Sequence, residues 1–359
     1  MITPSSTTVS ASALLERMLT IPSVTGGEGP LVTALSGELA GLGFSTSIDS
    51  AGSLVATWGD GTTDVLLVGH IDTVPGDIPV RHDAGRLYGR GSVDAKGPLA
   101  AALAAVSRQP RHGPHRYTVV AAVDEEGASR GARALLTRTS PDHLIVLEPS
   151  GWDSITIGYR GCVRADVRIS SPVAHGASGR QSAADTAVVF LATLRAEVEA
   201  HRDVQREVDR PALRIDSMNS NSDGISDSCD IKLSVRIPLT VTEAEAQQWL
   251  DAATHAAMAD ESAAVVRCEV RWSCAAARAS KNSALCRALV RAIRDHGGSP
   301  RFTTKTGTAD LNVLLPHWNC PAVVYGPGDS HLDHTPHESI ELAELERSTD
   351  ILSAALEAL

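Results

Sequence analysis

The residues of this chain best suited to chemistry begin with a histidine and an aspartate two positions apart. An apolar run at residues 66–69 predicts a strand, and His70 and Asp72 follow it directly. Residues i and i+2 of a strand share a face. A metal-ligating histidine usually needs a carboxylate or a carbonyl to hold its other ring nitrogen. The spacing therefore favours His70 as a metal ligand and Asp72 as the group that orients it.

Further carboxylates stand at the ends of other predicted strands. Glu125 and Glu126 follow one apolar run, Glu148 follows the next, and Asp94 lies in a glycine-rich loop before them. In open α/β sheets, sites gather at the carboxyl ends of strands. With His70 and a late histidine, this set is too large for one tetrahedral zinc and suits two ions about 3.5–4 Å apart, bridged by a carboxylate. Nitrogen and oxygen donors without thiolate are compatible with zinc, cobalt or manganese.

Spacing alone leaves two choices open. His331, His334 and His337 all lie near the C-terminus and compete as the late ligand. Glu125 and Glu126 are adjacent, and neighbouring residues at a strand end point in different directions. One of these glutamates can therefore bind metal while the other faces a substrate.

The predicted elements place these residues in an α/β domain. The predicted strands are 45–48, 54–58, 64–69, 117–123 and 144–147, and the predicted helices are 10–20, 31–42, 99–106 and 129–136. Such alternation indicates a mostly parallel sheet with helices on both faces. A helix at 283–296, a strand at 322–325 and a terminal helix at 338–356 return to this domain near the end of the chain.

The intervening segment has a different pattern. Residues 163–169 alternate strictly between apolar and charged side chains. One buried face and one solvated face are typical of an antiparallel sheet. With two more strands, a further strand and two helices, this segment is predicted to be a smaller α+β domain at residues 160–273. It is inserted into a catalytic domain made of residues 1–159 and 274–359.

Composition limits the classes of partner. The chain has 359 residues, enough for two domains, and its net charge of −11 argues against nucleic acid. Its six cysteines show no Cys-x-x-Cys spacing, so we expect reduced thiols in a cytoplasmic protein. We expect no signal peptide, because the N-terminus lacks a basic region before an apolar run. We expect no membrane span either, because no stretch of about 18 residues is apolar.

Four segments together resemble a known family. They are Gly-His-Ile-Asp-Thr-Val-Pro at 69–75, Gly-Arg-Gly-Ser-Val-Asp-Ala-Lys-Gly at 89–97, Asp-Glu-Glu-Gly at 124–127 and His-Thr-Pro-His-Glu at 334–338. In this order they resemble the motifs of the co-catalytic dizinc aminoacylase/carboxypeptidase family, which includes acetylornithine deacetylase, succinyl-diaminopimelate desuccinylase and glutamate carboxypeptidase. The resemblance implies a dinuclear metallohydrolase of amide bonds that uses two divalent ions, zinc before cobalt or manganese.

The resemblance also implies a ligand set. Asp94 would bridge the two ions. His70 and Glu148 would complete one site, and Glu126 and His334 would complete the other. His334 is preferred over its neighbours because the family's ligand histidine precedes a glutamate by four positions.

Three further residues take catalytic roles from the same resemblance. Glu125 would be the general base that takes a proton from water and later gives it to the leaving amine, and Asp72 would orient its metal ligand. His175 resembles the family's lid histidine, which polarises the scissile carbonyl as an oxyanion donor and often acts across a dimer interface. The resemblance therefore implies a homodimer formed through the inserted domain. The alternative for His175 is an ordinary surface-loop histidine.

Two more segments, 305–312 and 325–330, point to one branch of the family. They are similar to the amino-group-carrier-protein lysine/ornithine hydrolases, which cut the amide between a carrier protein's terminal glutamate side chain and the finished amino acid. The similarity implies that both loops hold the substrate, through Thr306, Gly307, Thr308, Gly326 and Gly328. The alternative is that Thr308 caps a helix and the second loop is an ordinary turn.

An acidic carrier protein would need a basic surface on a chain of net charge −11. Arg160, Arg164 and Arg168 are the candidates, and Arg164 and Arg168 share the charged strand face. We also assign Arg160 to substrate binding. The alternative for all three is an ordinary solvated face.

Other activities remain open at this stage. N-acyl-amino-acid deacylases and glutamate carboxypeptidases share the four motifs, and the released amino acid could be lysine, ornithine or a related non-protein amino acid. A serine hydrolase is the alternative from a different class. Residues 127–131 match Gly-x-Ser-x-Gly between a strand and a helix, with Ser129 as nucleophile. That function would leave the histidines and carboxylates without a role.

Overall fold

The computed structural model describes residues 9–201, 205–259 and 263–359 and divides them into two compact units. The larger unit contains the described residues up to Gly158, together with Ala279–Thr304 and Ala309–Leu359. The smaller unit contains Tyr159–Arg278 and Lys305–Thr308. The boundaries predicted from the sequence, 160 and 273, fall close to this division. The return of Lys305–Thr308 to the smaller unit was not predicted.

The elements are numbered in chain order through both units. The strands are β1 (Ser45–Ile48), β2 (Leu54–Trp58), β3 (Thr63–His70), β4 (Arg81–Asp83), β5 (Arg86–Tyr88), β6 (His115–Ala122), β7 (His143–Val146), β8 (Ser154–Tyr159), β9 (Gly161–Pro172), β10 (Ala212–Ser222), β11 (Ser226–Ile237), β12 (Val265–Cys274), β13 (Ala277–Arg278), β14 (Arg301–Lys305), β15 (Ala322–Val324) and β16 (Ser339–Glu341). The helices are α1 (Ala11–Leu19), α2 (Gly29–Leu42), α3 (Lys96–Ser107), α4 (Arg130–Leu135), α5 (Ala183–Ala200), α6 (Glu243–Met258), α7 (Ala284–Asp295), α8 (Leu311–Trp318) and α9 (Leu342–Glu357).

The central sheet of the larger unit runs in the order β1-β2-β6-β3-β7-β15-β8. β3 is parallel to β6 and to β7, and β7 is parallel to β15, whereas the outer pairs are antiparallel. β3 is buried along almost its whole length, as a parallel strand covered on both faces must be. Helices α1, α3, α7 and α9 pack in one group, and α4 packs on α8. The predicted α/β class with a mostly parallel sheet is confirmed.

A close approach explains the glycine that precedes His70. A Cβ atom on Gly69 would lie 2.8 Å from Cβ of Leu147, too near for any side chain at this position. Leu147 in turn donates its backbone N–H to the carbonyl of Val68 at 2.7 Å. The absence of a side chain at Gly69 thus lets the ends of β3 and β7 come together, one residue before His70 and Glu148.

Helix α3 begins directly after the glycine-rich loop and holds its C-terminal end. Its alanine-rich sequence is buried from Lys96 to Val106, so small side chains let it pack closely on all sides. The buried ammonium of Lys96 donates to the carbonyls of Met18 and Ile21 at 3.1 and 3.2 Å, at the end of α1. The loop that carries Asp94 therefore enters a rigid helix.

One predicted element differs near the C-terminus. The sequence predicts a terminal helix over 338–356, whereas α9 begins at Leu342 and Ser339–Glu341 form β16. β16 pairs with β5, with Ser339 opposite Tyr88, in a small sheet of order β16-β5-β4. Pairing with a distant strand has overridden the local helical preference of this acidic segment.

The smaller unit is an antiparallel sheet of order β10-β11-β9-β12 with α5 and α6 packed against it. Along β9, the apolar side chains of the predicted alternation are buried and the charged ones face outward. Phe190 of α5 and Leu250 of α6 fill the core beneath the sheet. The predicted antiparallel α+β architecture is confirmed. Among the described residues of either unit, no helix has the length and apolarity to cross a bilayer.

Candidate metal centre

His70 is held firmly at the carboxyl end of β3. Its side chain is 1% exposed, and its Nδ1 lies 2.9 Å from the backbone carbonyl oxygen of Asp72. A proton on Nδ1 donated to this carbonyl leaves Nε2 available as a ligand. Nε2 lies 3.1 Å from Oδ1 of Asp94 and 4.0 Å from Oε1 of Glu148.

Asp94 faces both histidines of the predicted set. While Oδ1 faces His70, Oδ2 lies 3.0 Å from Nε2 of His334. The same His334 nitrogen lies 2.8 Å from Oε1 of Glu126. The structure therefore brings together three overlapping groups of possible ligands. Two share Asp94, namely His70, Asp94 and Glu148, and Asp94, Glu126 and His334; the third consists of His70, Glu125 and Glu126.

The donor set fits divalent metal ions. It consists of imidazole nitrogens and carboxylate oxygens, and within each group the donor atoms lie within 4.8 Å of one another. Ligands at 2.0–2.1 Å from a tetrahedral zinc are themselves about 3.3–3.4 Å apart. The nitrogen–oxygen separations of 2.8, 3.0, 3.1 and 4.0 Å lie on either side of that value. The two oxygens of Asp94 can belong to two different ions.

The electrostatics of the cluster agree with a cation site. Hydrogen bonds to Asp94 and Glu126 raise the pKa of His334 to about 10. Burial by itself would lower the pKa of His70, but the carboxylates of Asp72 and Asp94 outweigh it and raise this pKa well above its usual value. Burial opposes ionisation of Asp94, yet hydrogen bonds from both histidines hold its pKa below the usual range. A divalent cation would take the place of such protons, because histidine and carboxylate ligands bind metal in their deprotonated forms.

The carboxylate of Asp72 has further partners besides the predicted one. Its Oδ1 lies 3.6 Å from Nδ1 of His70, at ion-pair distance, and accepts the backbone N–H of Glu125 at 3.1 Å. Its Oδ2 accepts the N–H of Glu126 at 3.2 Å and the hydroxyl of Thr25 at 2.9 Å. The backbone of Asp72 orients the histidine, and its carboxylate fixes the turn that carries both glutamates.

Glu125 lies beside the cluster, on the turn after β6. Burial raises the pKa of its carboxyl group well above the usual value, and Glu148 and Asp310 add to the rise against the charge of His70. A carboxylate with an elevated pKa is suited to accept a proton and return it near neutral pH. One glutamate of the pair thus contacts His334, while its neighbour keeps an elevated proton affinity.

The competing late histidines lie outside the cluster. The side chain of His331 is 93% exposed, and its Nδ1 lies 2.8 Å from Oδ1 of Asp329. His337 is exposed as well, and its backbone N–H donates to Thr335. Of the three, only His334 belongs to a group of possible metal ligands among the described residues.

The predicted substrate loops occur one in each unit. In the smaller unit, the buried Arg160 donates to the carbonyls of Thr306 and Arg210 at 3.0 and 2.8 Å, and Arg236 donates to the hydroxyl of Thr308 at 3.2 Å. Arg160 therefore holds the loop at Thr306–Thr308 from a buried position. The sequence did not indicate Arg236, which holds the same loop. The residue that precedes α8 is Asp310, so Thr308 is not its cap.

The other loop is held in the larger unit. Glu344 accepts the backbone N–H groups of Gly328 and Trp152 at 3.0 and 3.2 Å. Gly328 has a φ of 111°, which a residue with a side chain rarely adopts. The carbonyl of Gly326 accepts from Ser150 at 3.0 Å, so this loop is tied to the segment that follows Glu148.

The remaining candidates of the smaller unit are at its surface. His175 is exposed, and its Nδ1 accepts the backbone N–H of Ala177 at 3.2 Å. Arg168 is paired with Asp230 at 2.9 Å, and the guanidinium of Arg164 lies over the ring of Trp272. Roles for these three residues remain predictions.

Ser129 does not have the exposure of a nucleophile. Its φ of 54° and its place before α4 fit the backbone of a nucleophile elbow, but the residue is 3% exposed. Burial raises the pKa of the neighbouring Asp310 carboxyl group to about 7. The burial of Ser129 therefore disfavours the serine-hydrolase alternative.

Comparison with known proteins identifies the group to which this fold and cluster belong. The model of "Peptidase family M20/M25/M40" matches residues 66–358. The chain belongs to this peptidase family. The M20 assignment confirms the resemblance seen in the four motifs and makes the protein a hydrolase of linear amide bonds that works with divalent metal ions.

Individual relatives of this M20 protein match between 79% and 99% of the chain. A Deinococcus radiodurans protein named LysW-lysine hydrolase is 37% identical over 363 residues, which span 99% of this chain and 98% of that one. A Sulfurisphaera tokodaii protein named LysW-lysine/LysW-ornithine hydrolase is 30% identical over 294 residues, 79% of this chain and 78% of that one.

Solved structures share the M20 fold at low sequence identity. An M20 family metallo-carboxypeptidase from Sulfolobus solfataricus superimposes with a TM-score of 0.78 at 16% identity, over 97% of this chain and 98% of that one. The aminopeptidase PepT from Bacillus cereus gives a TM-score of 0.76 at 19% identity, over 97% of both chains.

Proposed function

We propose that this M20 enzyme hydrolyses the amide bond between the C-terminal glutamate side chain of a carrier protein and the amino group of lysine, ornithine or a related amino acid. The observation that carries the proposal is the pair of ligand groups sharing Asp94, with the buried Glu125 beside them. The names of relatives that are up to 37% identical supply the carrier-linked substrate class.

Two divalent ions, zinc by preference, would be held by His70 and Glu148 and by Glu126 and His334, with Asp94 shared between the two groups. Bound divalent ions polarise an amide carbonyl and lower the pKa of water. Glu125 takes the proton from the attacking water and delivers it to the leaving amine.

The residues around the centre orient this chemistry. The carboxylate of Asp72 accepts the backbone N–H groups of Glu125 and Glu126 and so fixes the turn. In this turn one glutamate acts as a metal ligand and the other as the general base. His175 donates to the developing oxyanion, and the loops containing Thr306–Thr308 and Gly326–Gly328 bind the amino-acid side of the substrate. A homodimer would be formed through the smaller unit, where Val188 and Ile225 are exposed apolar side chains. The free thiols of all six cysteines agree with a cytoplasmic location.

A substrate panel tests the proposal. Purified, metal-loaded enzyme is offered carrier γ-glutamyl-lysine and γ-glutamyl-ornithine beside N-acetyl- and N-succinyl-amino acids, and the released amino acid is measured. We expect carrier-linked substrates to be cleaved far faster. Hydrolysis of only the small acyl compounds would assign the chain to the deacylases instead.

The matched variant for this panel is Glu125→Gln. Loss of a general base lowers kcat by about 10²–10⁴-fold. Metal content, measured by elemental analysis, should stay at the wild-type level because Glu125 is not among the proposed ligands. Wild-type activity in this variant would remove Glu125 from the mechanism.

The carrier surface can be tested separately. Reversal of both Arg164 and Arg168 to glutamate should raise KM for a carrier-linked substrate and leave a small acyl-amino acid unaffected. The control is the same reversal at Arg287 and Arg291, two exposed arginines of α7. Equal loss with both substrates, or equal loss in the control, would reject this surface.

A further inference from the structure

The ligands of the proposed centre are positioned in two ways, at strand ends and in loops. His70 and Glu148 directly end or follow strands in the middle of the central sheet. Asp94 and His334 lie in loops, and His334 has a φ of 61°, a conformation that residues with a side chain adopt with difficulty. Sheet pairing fixes the first two residues, so other contacts must fix the second two.

Glu338 provides such contacts for the loop of Asp94. Its carboxylate is 1% exposed, and Oε1 accepts the backbone N–H of Val93 at 2.9 Å and that of Asp94 at 3.1 Å. The carbonyl of Glu338 also accepts from Gly89, at 3.5 Å. A buried anion thus holds the peptide that carries the shared aspartate.

Arg90 joins this carboxylate to two further segments. Its guanidinium donates to Oε2 of Glu338 at 2.9 Å, to the carbonyl of Thr335 at 3.2 Å and to the carbonyl of Gly76 at 2.9 Å. Thr335 is the residue after His334, and Gly76 follows the segment that contains His70 and Asp72. The planar fork of an arginine can make these three contacts together, whereas an ammonium group lacks that geometry.

We propose that Arg90 and Glu338 are positioning residues that act as a clamp. They hold the loops of Asp94 and His334 at the distance required by the ion that Glu126 and His334 would bind. The clamp rests on the proposed ligand set. It predicts that the ion held by Glu126 and His334 depends on two residues that touch no metal. The ion held by His70 and Glu148 should depend on them less, because the sheet fixes its ligands.

Substitutions of Glu338 and Arg90 should weaken the clamp to different degrees. Glu338→Ala leaves the N–H groups of Val93 and Asp94 without an acceptor and leaves the charge of Arg90 uncompensated in a buried site. Glu338→Gln keeps one acceptor oxygen for these N–H groups. Arg90→Lys keeps the charge but loses the fork that reaches Gly76 and Thr335. Residues that support metal ligands in this manner typically contribute 10–100-fold to metal affinity.

The experiment titrates the metal-free full chain with Co²⁺, followed by calorimetry and by the visible absorption of the bound ion. We expect wild type to bind two ions. In Glu338→Ala, one ion should bind with near wild-type affinity and the other about 10–100-fold more weakly, with an altered spectrum. Glu338→Gln should recover most of the loss. The control is Arg86→Lys, since the guanidinium of Arg86 joins β5 to β16 through the hydroxyl and the carbonyl of Ser339.

The outcomes separate the clamp from the centre itself. Wild type that binds no ion would refute the proposed ligand set and the clamp with it. Wild type that binds two ions, with variants that bind both unchanged, would refute the clamp alone. Equal weakening of both ions, together with a lower melting temperature of the metal-free chain, would also refute it, since the pair would then be a general support of the fold.

Discussion

His70 and His334 contact the same aspartate from very different settings. The side chain of His70 is 1% exposed on a strand paired on both sides, whereas that of His334 is 51% exposed in a loop with a positive φ. The first histidine is fixed by the sheet even without metal. The second depends on hydrogen bonds among loops and on the carboxylates of Asp94 and Glu126.

This contrast shows how the centre combines a rigid ligand position at a strand end with a side that solvent can reach. A strand end defines one ligand position with the accuracy of the sheet, and sites built on such elements are more precise than sites on loops. A loop, on the other hand, leaves one side of the cluster open to solvent and to substrate. The half formed by His70 and Glu148 is therefore preformed, and the half formed by Glu126 and His334 is assembled through the clamp.

The largest expected difference between the two halves concerns stability without metal. His70→Ala removes a buried group that partners Asp94, so it should lower the free energy of unfolding of the metal-free chain by about 1–3 kcal/mol. His334→Ala removes ion pairs of a half-exposed side chain, which solvent screens, so its cost should be smaller, about 1 kcal/mol or less. Urea unfolding of both metal-free variants measures the two values.

The number of bound metal ions should fall equally in His70→Ala and His334→Ala. This equal loss is the internal control for the stability comparison. Each variant loses one ligand of one ion, so each should retain a single ion in a titration. Equal stability losses would break the comparison between a sheet-held and a loop-held half. Retention of both ions in either variant would remove that histidine from the ligand set.

The turn after β6 provides a test of intermediate size. Asn at position 72 keeps one acceptor oxygen, so Asp72→Asn can no longer accept from both Glu125 and Glu126. We expect both ions to be retained and kcat to fall about 10–100-fold, the usual effect of disturbing a group that supports metal ligands. A kinetic assay with parallel metal analysis distinguishes this from loss of the ion at His70. Loss of the ion at His70 would show that the Asp72 carboxylate acts mainly through His70 and not through the glutamate turn.

The sequence predicts the sheet-held half better than the loop-held half. Strand ends at His70 and Glu148 follow from apolar runs, because burial in a parallel sheet requires continuous hydrophobic residues. Glu338 and the Asp72 carboxylate both accept from backbone N–H groups, which every residue except proline carries, so no side-chain pattern marks these contacts. The signal available for Glu338 was its fixed spacing from His334, and for Arg90 its place between two glycines of a buried loop.

The missed strand β16 has the same cause. The segment after Glu338 is acidic and suits a helix start, yet it pairs with β5, a strand of three residues that the sequence does not mark. Short strands are stabilised by their partners and not by their own composition.

The smallest expected change in metal binding tests whether the sheet fixes its ligands. In Gly69→Ala the new methyl group would meet Leu147 at 2.8 Å, and overpacking of this kind costs about 1–3 kcal/mol. The strain falls between His70 and Glu148, so a modest weakening of their shared ion should accompany a lower melting temperature. The control is Gly37→Ala in α2, where a Cβ meets nothing within 4 Å and the helix should gain about 0.5–1 kcal/mol. If Gly69→Ala weakened instead the ion at His334, the loops and not the sheet would define the distance between the two halves.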